Sequence, residues 1–287
     1  MRLVSFNQGK VGVVDDGNVL DVTELITGPA QPAGDGMIGL IRRWHAVRPS
    51  LQAHRLGHMS RAPLSEVRLD PPLRAPGNIV AAPVNYRDHQ AEMNVDATVA
   101  DLGFFLKAPT SVIGPGGVVQ LPYLDRRTDQ EGELAVVIGT TARHVPVAQA
   151  LDHVFGYTCL LDVTVRGPED RSMRKSFDTF CPIGPWITTA DEVGDPGALE
   201  LRCWVNDQLR QHATTKDQLV GVPELISFVS SVITLQPGDI VATGTPAGVG
   251  PLAHGDRVAV EIDRIGRLEV TVSAETAASW DDLRLGR

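Results

Sequence analysis

Cysteine is scarce in this chain, and none of it is arranged for cross-linking or metal binding. The 287 residues contain three cysteines, Cys159, Cys181 and Cys203, and no two of them form a Cys-x-x-Cys pair. An odd number without such a pair argues against both a disulfide framework and a thiolate zinc site. This usage is typical of a reducing compartment, so we predict a cytoplasmic protein.

Basic runs and long apolar stretches are absent as well. The formal net charge is -9, and no cluster of lysine and arginine offers a face for a phosphate backbone, so we expect no nucleic-acid partner. No segment approaches the roughly 18 to 20 apolar residues that a membrane span needs. The N-terminus lacks the basic start and continuous apolar region of a signal peptide. We therefore expect no association with membranes.

The remaining composition is that of a globular protein that can bury a sizeable core, since 43% of the residues are hydrophobic. Residues 1–26 alternate short apolar runs with Gly and Asp turns and predict a small β-meander. Residues 36–59 carry apolar side chains at helical spacing. The proline-rich stretch "RLDPPLRAPGN", residues 68–78, disfavours regular structure. We place a domain boundary there, with a small α+β domain over 1–70 and a catalytic domain over 71–287.

The second domain is dominated by predicted strands, with helical spacing at 147–153 and again at 222–231 behind Pro223. Glycine, proline and aspartate turns separate the strands, which we place at 79–84, 134–138, 154–165, 199–205, 240–242, 258–262 and 268–272. The alternating pattern of a doubly wound fold is missing, so we predict a β-rich α+β protein.

Carboxylates stand where buried side chains are expected. In "DQEGELAVVIG", residues 129–139, Glu131 and Glu133 precede an apolar run and share one face of a strand. Asp162 lies within the apolar strand of "GYTCLLDVTVRG", where burying an unpaired charge costs on the order of several kcal/mol. Three carboxylates would suit a hard divalent ion such as Mg²⁺ or Mn²⁺. Spacing alone leaves two other interpretations open, a solvated strand edge for the glutamates and a paired core aspartate for Asp162.

Four stretches together resemble the fumarylacetoacetate hydrolase family. They are "NYRDHQAEM" (85–93), "DQEGELAVVIG" (129–139), "FGYTCLLDVTVRG" through "RKSFDTFCPIGPW" (155–186), and "LQPGDIVATGTPAGVGPLAHGDRV" (235–258). The resemblance covers residues 79 to about 272 in consistent order. It implies a mixed β-sandwich roll as the core, a homodimer and a small-molecule keto-acid or diketo-acid substrate.

The resemblance also assigns roles to residues. It makes Glu131, Glu133 and Asp162 the metal ligands. It makes His89 and Glu92 a catalytic pair, in which the glutamate holds the imidazole while the imidazole takes a proton from water. Lys175 matches a lysine that stabilises negative charge on the substrate.

Substrate contacts are implied at four further positions. Thr245, in "TGTP", matches a threonine near the metal, and the other three, Tyr86, Arg87 and Arg166, belong to the motifs quoted above. Arg87 and Arg166, together with Arg126 and Arg127, are also the candidates for binding a distal carboxylate. The sequence does not choose among them.

The chain departs from the family pattern after the metal aspartate. Where the family commonly has Asp-x-Ser-Ala-Arg-Asp-x-Gln, this chain has "DVTVRGPE", so Gly167 replaces an aspartate and Glu169 replaces a glutamine that faces substrate. An ionised carboxylate cannot donate a hydrogen bond. Either the loop is re-routed or the substrate differs.

The implied activity is metal-assisted hydrolysis of a carbon–carbon bond in an acylpyruvate or fumarylpyruvate-like diketo acid, giving pyruvate and a carboxylic acid. Residues 93–105 follow the catalytic pair and are a candidate lid. The same groups could serve an oxaloacetate-type decarboxylase or a hydroxy-dienedioate isomerase, because fold does not fix the reaction. A catalytically silent keto-acid-binding protein is a further alternative, which Glu169 would support.

Overall fold

A computed structural model describes residues 1–26, 36–53 and 59–283 of the chain. Residues 54–58, part of the stretch with predicted helical spacing, lie outside the described residues. In the rest of that stretch the prediction is correct, because α2 (Gly36–Arg42) and α3 (Trp44–Ala53) follow the short α1 (Thr23–Ile26). Among the described residues, no helix has both the length and the apolar character needed to cross a membrane.

The N-terminal segment forms the predicted meander and joins the main sheet. Its strands are β1 (Arg2–Phe6), β2 (Lys10–Asp15), β3 (Asn18–Asp21), β4 (Arg61–Pro63) and β5 (Leu69–Asp70). β5 lies inside the proline-rich stretch for which we expected no regular structure; it pairs with β1, with Ser5 opposite Asp70 and Phe6 opposite Leu69, and it ends before Pro71. That expectation was wrong for Leu69 and Asp70.

The middle of the chain alternates short helices with strands. The strands are β6 (Ile79–Ala81), β7 (Phe105–Lys107), β8 (Val112–Ile113), β9 (Val118–Gln120), β10 (Thr128–Gln130), β11 (Gly132–Ile138), β12 (Val154–Leu161), β13 (Thr164–Val165) and β14 (Cys181–Thr189). The helices are α4 (Arg87–Glu92), α5 (Val99–Leu102), α6 (Arg171–Lys175) and α7 (Ala190–Val193).

The C-terminal third is a second run of strands around one longer helix. Its elements are β15 (Glu200–Val205), β16 (Gln208–Thr214), α8 (Val222–Val232), β17 (Ile240–Ala242), β18 (Gly250–Pro251), β19 (Arg257–Ile262), β20 (Gly266–Ser273) and α9 (Trp280–Leu283). Short 3₁₀ helices cover Leu64–Glu66, Pro109–Ser111, Val147–His153 and Thr215–Asp217. The predicted helix at 147–153 is therefore a 3₁₀ helix, and the predicted strand 154–165 is split into β12 and β13 around Asp162.

The described residues form three sheets, in agreement with the predicted β-rich α+β class. The largest has the order β4-β3-β2-β1-β14-β12-β11-β17-β6-β7, with β5 on β1 and β8 on β14. A five-stranded sheet, β16-β15-β19-β20-β9, and a three-stranded one, β13-β10-β18, complete the core. Because β1 pairs with β14 through Arg2↔Thr188 and Leu3↔Ile187, the N-terminal segment extends the large sheet. The division at residue 70 stays a prediction.

β11 is buried on both faces, which accounts for its continuous apolar sequence. Leu134, Val136 and Ile138 belong to the core cluster that includes the five-stranded sheet. Ala135 and Val137, on the opposite face, belong to the cluster that includes the N-terminal strands and helices. The glutamates at the start of β11 are therefore carried into the interior by the strand that follows them.

Candidate active site

Two antiparallel strands bring the three predicted metal ligands together. β11 begins at Gly132 and pairs with the end of β12, with Gly132 opposite Leu161. Asp162 follows directly and donates its backbone N–H to the carbonyl oxygen of Glu131 at 2.8 Å. One ligand oxygen from each of Glu131, Glu133 and Asp162 lies within 4.8 Å of the others.

All three carboxylates are buried, with residue exposures of 5% for Glu131, 1% for Glu133 and 0% for Asp162. The solvated strand edge was therefore not the right interpretation of the glutamates. Asp162 is both paired with lysines and part of the carboxylate cluster.

Lys175 is the central cation of this cluster. Its Nζ donates to Glu131 Oε2 at 2.6 Å, to Asp162 Oδ2 at 2.6 Å and to Thr164 Oγ1 at 2.7 Å. An ammonium group has three N–H donors, so all of them are engaged. Burial disfavours the charged form, but Asp162 and Glu131 outweigh it and hold the pKa of Lys175 above its usual value. Lys175 thus offers its charge, and no free hydrogen bond, to a ligand in this arrangement.

A second lysine supports Asp162 from the other side. Lys107, the last residue of β7, donates from Nζ to Asp162 Oδ1 at 2.6 Å and also to the carbonyl oxygen of Lys175. Both Lys107 and Asp162 are almost fully buried. Because one lysine holds each oxygen of Asp162, this carboxylate is fixed in orientation.

Arg166 links the cluster to Asp129. Its Nε donates to Asp129 Oδ2 at 2.6 Å, while Arg127 Nε donates to Asp129 Oδ1 at 2.6 Å. Asp129 is thus neutralised by two arginines and lies apart from the carboxylate triad. Arg166 Nη2 is 3.1 Å from Glu131 Oε1, an ion-pair distance, but it is not aligned for a hydrogen bond to any described residue.

The pKa values of Glu131 and Glu133 are shifted in opposite directions. Burial raises the pKa of Glu131, yet Lys175 and Arg166 outweigh burial and lower the pKa to about 2. Burial and the neighbouring Asp162 raise the pKa of Glu133 well above its usual value. Glu133 accepts one hydrogen bond, from the backbone N–H of Gly244 at 2.8 Å, and forms no ion pair with a described residue.

This donor set fits a hard divalent cation. Three buried carboxylates within one ligand sphere are a typical site for Mg²⁺ or Mn²⁺. Glu133 in particular is a desolvated carboxylate without an ion-pair partner among the described residues, and burying such a group is costly unless a cation compensates.

The predicted His89 and Glu92 pair is formed on α4. His89 Nδ1 lies 2.8 Å from Glu92 Oε2, and the backbone N–H of Gly248 donates to Glu92 Oε1 at 3.0 Å. Glu92 therefore bridges the histidine and the 244–250 loop. With Nδ1–H donated to this carboxylate, Nε2 of the buried His89 is the nitrogen left free to accept a proton.

A cavity of about 210 Å³ joins these groups. Predicted site residues on its wall are Glu131, Glu133, His89, Lys175, Arg166 and Thr245. Met93, Val95 and Phe105, from the candidate lid 93–105, also line the cavity. Phe105 is held in β7 of the large sheet, so only the first part of the segment could move as a lid.

Thr245, Tyr86 and Arg87, predicted as substrate contacts, occupy different positions. Thr245 Oγ1 donates to the carbonyl oxygen of Gly132 at 2.9 Å and accepts from Gln211 Nε2 at 2.7 Å, so the residue also fixes the start of β11. Tyr86 is buried against Gln218 and does not reach the cavity wall. Arg87 is exposed and is not on the wall either.

Glu169 does not face the cavity. It forms a bidentate pair with Arg126, with Nη1 to Oε1 at 3.1 Å and Nη2 to Oε2 at 2.7 Å. The guanidinium of Arg126 lies 4.6 Å from the ring centre of Trp280. A Cβ on Gly167 would lie 1.8 Å from Arg126 Nη2 and 2.4 Å from Glu169 Oε2. The two departures from the family pattern are thus coupled, because the ion pair needs glycine at 167.

Some residues of the site gave no signal in the sequence. Lys107 lies 55 positions before Asp162, and no local periodicity connects them. Arg171 and Arg174 line the cavity, although a cation on a short helix is usually a solvated side chain. No signal in the sequence pointed to Gly248 either, whose backbone N–H positions Glu92 from 156 residues away.

The strand-rich fold and the cavity, with its carboxylate triad and His–Glu pair, define a metal-dependent enzyme. The chain belongs to the fumarylacetoacetate hydrolase family, since the family model "Fumarylacetoacetate (FAA) hydrolase C-terminal" matches residues 78–273. This finding confirms the resemblance drawn from the sequence.

Among relatives of known activity, maleylpyruvate hydrolase of Aquipseudomonas alcaligenes is 42% identical, over 95% of this chain and 99% of its own length. A crystal structure of maleylpyruvate hydrolase from Sphingobium sp. SYK-6 in complex with manganese(II) and pyruvate is 45% identical. Its TM-score is 0.87, over 96% of this chain and 99% of that one. Oxaloacetate tautomerase YisK of Bacillus subtilis is 40% identical over 71% of this chain and 73% of its own length.

Proposed function

We propose that this protein is a divalent-metal-dependent hydrolase that cleaves a carbon–carbon bond of an acylpyruvate, releasing pyruvate and a carboxylic acid. One observation carries the proposal: His89, oriented by Glu92, lines the same cavity as Lys175 and two carboxylates of the triad, Glu131 and Glu133. A base next to a cation centre is what the attack of water on a carbonyl requires.

Glu131, Glu133 and Asp162 would hold the ion. When bound, a divalent cation would supply Lewis acidity toward the two oxygens of the diketo group. Mn²⁺ and Mg²⁺ both suit three carboxylates, and the manganese in the Sphingobium relative makes Mn²⁺ the first ion to test. The chain's own part is to fix the ligands, which Lys107, Lys175 and Gly244 do from three sides.

His89 acts as the general base. Its Nε2 accepts a proton from water as the water oxygen attacks the acyl carbonyl carbon, and Glu92 stabilises the imidazolium through Nδ1–H. The bond between that carbon and the adjacent methylene then breaks, and its electron pair leaves with the pyruvate half as the enolate. Protonation of the enolate carbon gives pyruvate. The buried charge of Lys175 stabilises the negative charge that develops in this step.

Maleylpyruvate is the substrate that the relatives favour. Two of the relatives above are maleylpyruvate hydrolases, and each aligns with nearly the whole of this chain. Arg166, whose buried Nη2 is aligned to no acceptor among the described residues, is the residue we assign to the keto-acid carboxylate. Thr245, on the same cavity wall, is the second contact, because the remaining lone pair of its hydroxyl can accept a hydrogen bond from the enol O–H of a diketo acid.

The test is a proton NMR time course of purified protein loaded with Mn²⁺ or Mg²⁺ and offered maleylpyruvate, acetylpyruvate or oxaloacetate. Pyruvate with maleate, or with acetate, from the diketo acids would support the proposal, and a chelator should abolish it. The second candidate, an oxaloacetate tautomerase or decarboxylase, is favoured by the YisK relative. Enol–keto exchange or pyruvate from oxaloacetate, with both diketo acids left intact, would establish it instead.

We further propose that the protein works in the cytoplasm as a homodimer. The three cysteines are free and buried, which is consistent with a reducing compartment. Sedimentation analysis would test the dimer, and a single species at the monomer mass of 30.8 kDa would contradict it.

A further inference from the structure

Arginines without a carboxylate partner line one side of the cavity. Arg174 and Arg171 both reach the wall, which elsewhere carries the oppositely charged Glu131 and Glu133. Neither forms an ion pair with a carboxylate among the described residues, whereas Arg126, Arg127 and Arg166 all do. Unpaired cations grouped in a half-buried pocket predict an anion there.

The helix geometry directs these side chains toward the metal centre. Arg171, Arg174 and Lys175 occupy positions i, i+3 and i+4 of α6, so they share one face of the helix. Lys175 is the residue that contacts Glu131 and Asp162. Since four residues of helix rise about 6 Å, the backbone of Arg171 lies about one turn from that of Lys175. The arginines are thus a short distance from the centre at which the diketo group would bind.

Arg174 is positioned by backbone contacts. Its Nε donates to the carbonyl oxygen of Glu169 at 2.7 Å, and its Nη1 donates to the carbonyl oxygen of Val165 at 3.3 Å. These contacts leave Nη2 and one N–H of Nη1 for a ligand. Burial, together with repulsion from Arg166 and Arg171, lowers the pKa of Arg174 from its usual value, as expected for a cation that lacks a counter-charge.

Glu169 is a positioning residue for Arg174. Its carboxylate is clamped by Arg126, which also donates to the carbonyl oxygen of Arg166 at 2.9 Å, so the loop 166–169 is fixed at both ends. The backbone oxygen that orients Arg174 belongs to this fixed loop. The change from glutamine to glutamate therefore moves residue 169 from substrate contact to support of an arginine.

We propose that Arg174 and Arg171 form the subsite for the distal carboxylate of a dicarboxylic acylpyruvate, and that they select such substrates over acylpyruvates with an uncharged acyl group. The inference rests on the proposed hydrolase function. In maleylpyruvate the second carboxyl carbon is the third carbon beyond the carbonyl that water attacks. A bidentate arginine contact to that group would both bind the substrate and align the carbonyl with His89.

The test compares two substrates in one set of variants. Arg174→Ala and Arg171→Ala should each lower kcat/KM for maleylpyruvate by about 10- to 100-fold, the effect of one charge-assisted contact. Their kcat/KM for acetylpyruvate, which has no distal carboxylate, should stay within about threefold of the wild type. Arg174→Lys should recover part of the loss, because it keeps the charge but not the bidentate geometry. Glu169→Gln should raise KM for maleylpyruvate more than it changes kcat.

Two controls separate the possible failures. Arg143→Ala removes an exposed arginine whose Nη1 donates to Thr234 Oγ1, away from the cavity, and it should change neither activity. Inhibition by oxalate, which can occupy the metal centre without reaching the arginines, should be the same in all variants. The subsite assignment is wrong if the wild type cleaves both diketo acids and Arg174→Ala either loses activity toward both to the same extent or loses activity toward neither. If the wild type cleaves neither, the proposed function fails and the subsite with it.

Discussion

Lys107 Nζ lies 2.6 Å from Asp162 Oδ1 in the interior of the protein, where water reaches neither side chain. β7 supplies the lysine, and the turn after β12 supplies the aspartate. The pair therefore ties an outer strand of the large sheet to the carboxylate triad. Because Lys175 holds the other oxygen, the aspartate cannot rotate to find a different partner.

Loss of this lysine should destabilise the fold. Lys107→Met removes one cation from a buried pair and leaves Asp162 partly uncompensated, which should lower the free energy of unfolding by about 3 to 5 kcal/mol. Urea denaturation of the metal-free protein measures the change. Lys10→Met is the matched control, since Lys10 pairs with Asp21 at 2.9 Å but is 53% exposed. It should cost about 1 kcal/mol or less, and equal losses in the two variants would contradict the role of burial.

Glu133 gives the sharpest test of the metal centre. Glu133→Gln keeps the shape of the side chain but removes a desolvated carboxylate that forms no ion pair in the described part of the chain. Changes to residues that only orient a ligand cost about 10- to 100-fold in metal affinity, so loss of a ligand itself should weaken Mn²⁺ binding by about 100-fold or more. Unfolding of the metal-free protein should not become easier. Calorimetric titration and denaturation measure the two effects.

Asp239→Asn provides the opposite control. Asp239 is also buried, but it accepts the backbone N–H groups of Asn78 and Gln236 at 2.9 Å each, outside the cavity. Its substitution should lower the free energy of unfolding by about 1 to 3 kcal/mol and leave Mn²⁺ affinity unchanged. Unaltered Mn²⁺ binding by Glu133→Gln would mean that Glu133 is not a ligand.

Substitution of His89 should lower turnover and leave metal binding unchanged. His89→Gln removes the group that can accept a proton from water, and a general base typically contributes about 10²- to 10⁴-fold, so kcat should fall by that range. Mn²⁺ affinity should be unchanged, because His89 contacts Glu92 and no member of the triad. Glu92→Gln should show a smaller loss of kcat, because an amide can still hold the ring but cannot stabilise an imidazolium. Parallel loss of kcat and metal affinity in His89→Gln would make the histidine structural or a ligand.

The sequence was informative where chemistry is local. Glu131 directly precedes β11 and Glu133 lies two residues on, within it, and His89 and Glu92 share a helix face, so their spacing already predicted their proximity. β14 escaped prediction because Pro182, Gly184 and Pro185 interrupt the alternation that identifies a strand, although its neighbours β12 and β1 hold it in the sheet.

Long-range partners were beyond the reach of such patterns. The sequence did not allow a choice among the four candidate arginines for a distal carboxylate. The described arginines that line the cavity are Arg166, Arg171 and Arg174, and of these Arg166 alone was among the four candidates. Which arginine is paired depends on contacts such as Arg126 with Glu169, 43 residues away. No periodicity encodes a contact of that separation, because the fold alone creates it.

We expect the Arg126–Glu169 ion pair to require glycine at position 167. Gly167→Ala places a methyl group 1.8 Å from Arg126 Nη2, so the guanidinium must move and the pair must break. We expect a loss of about 1 to 3 kcal/mol in the free energy of unfolding, typical of overpacking. Arg126→Ala removes the nearer of the two groups that the methyl group would strike and frees the other, the Glu169 carboxylate, to move, so adding Gly167→Ala to that variant should cost much less. Denaturation of the wild type, both single variants and the double variant gives the coupling energy, which should be at least about 1 kcal/mol. Additive losses would show that Gly167 is required for its backbone and not for the ion pair.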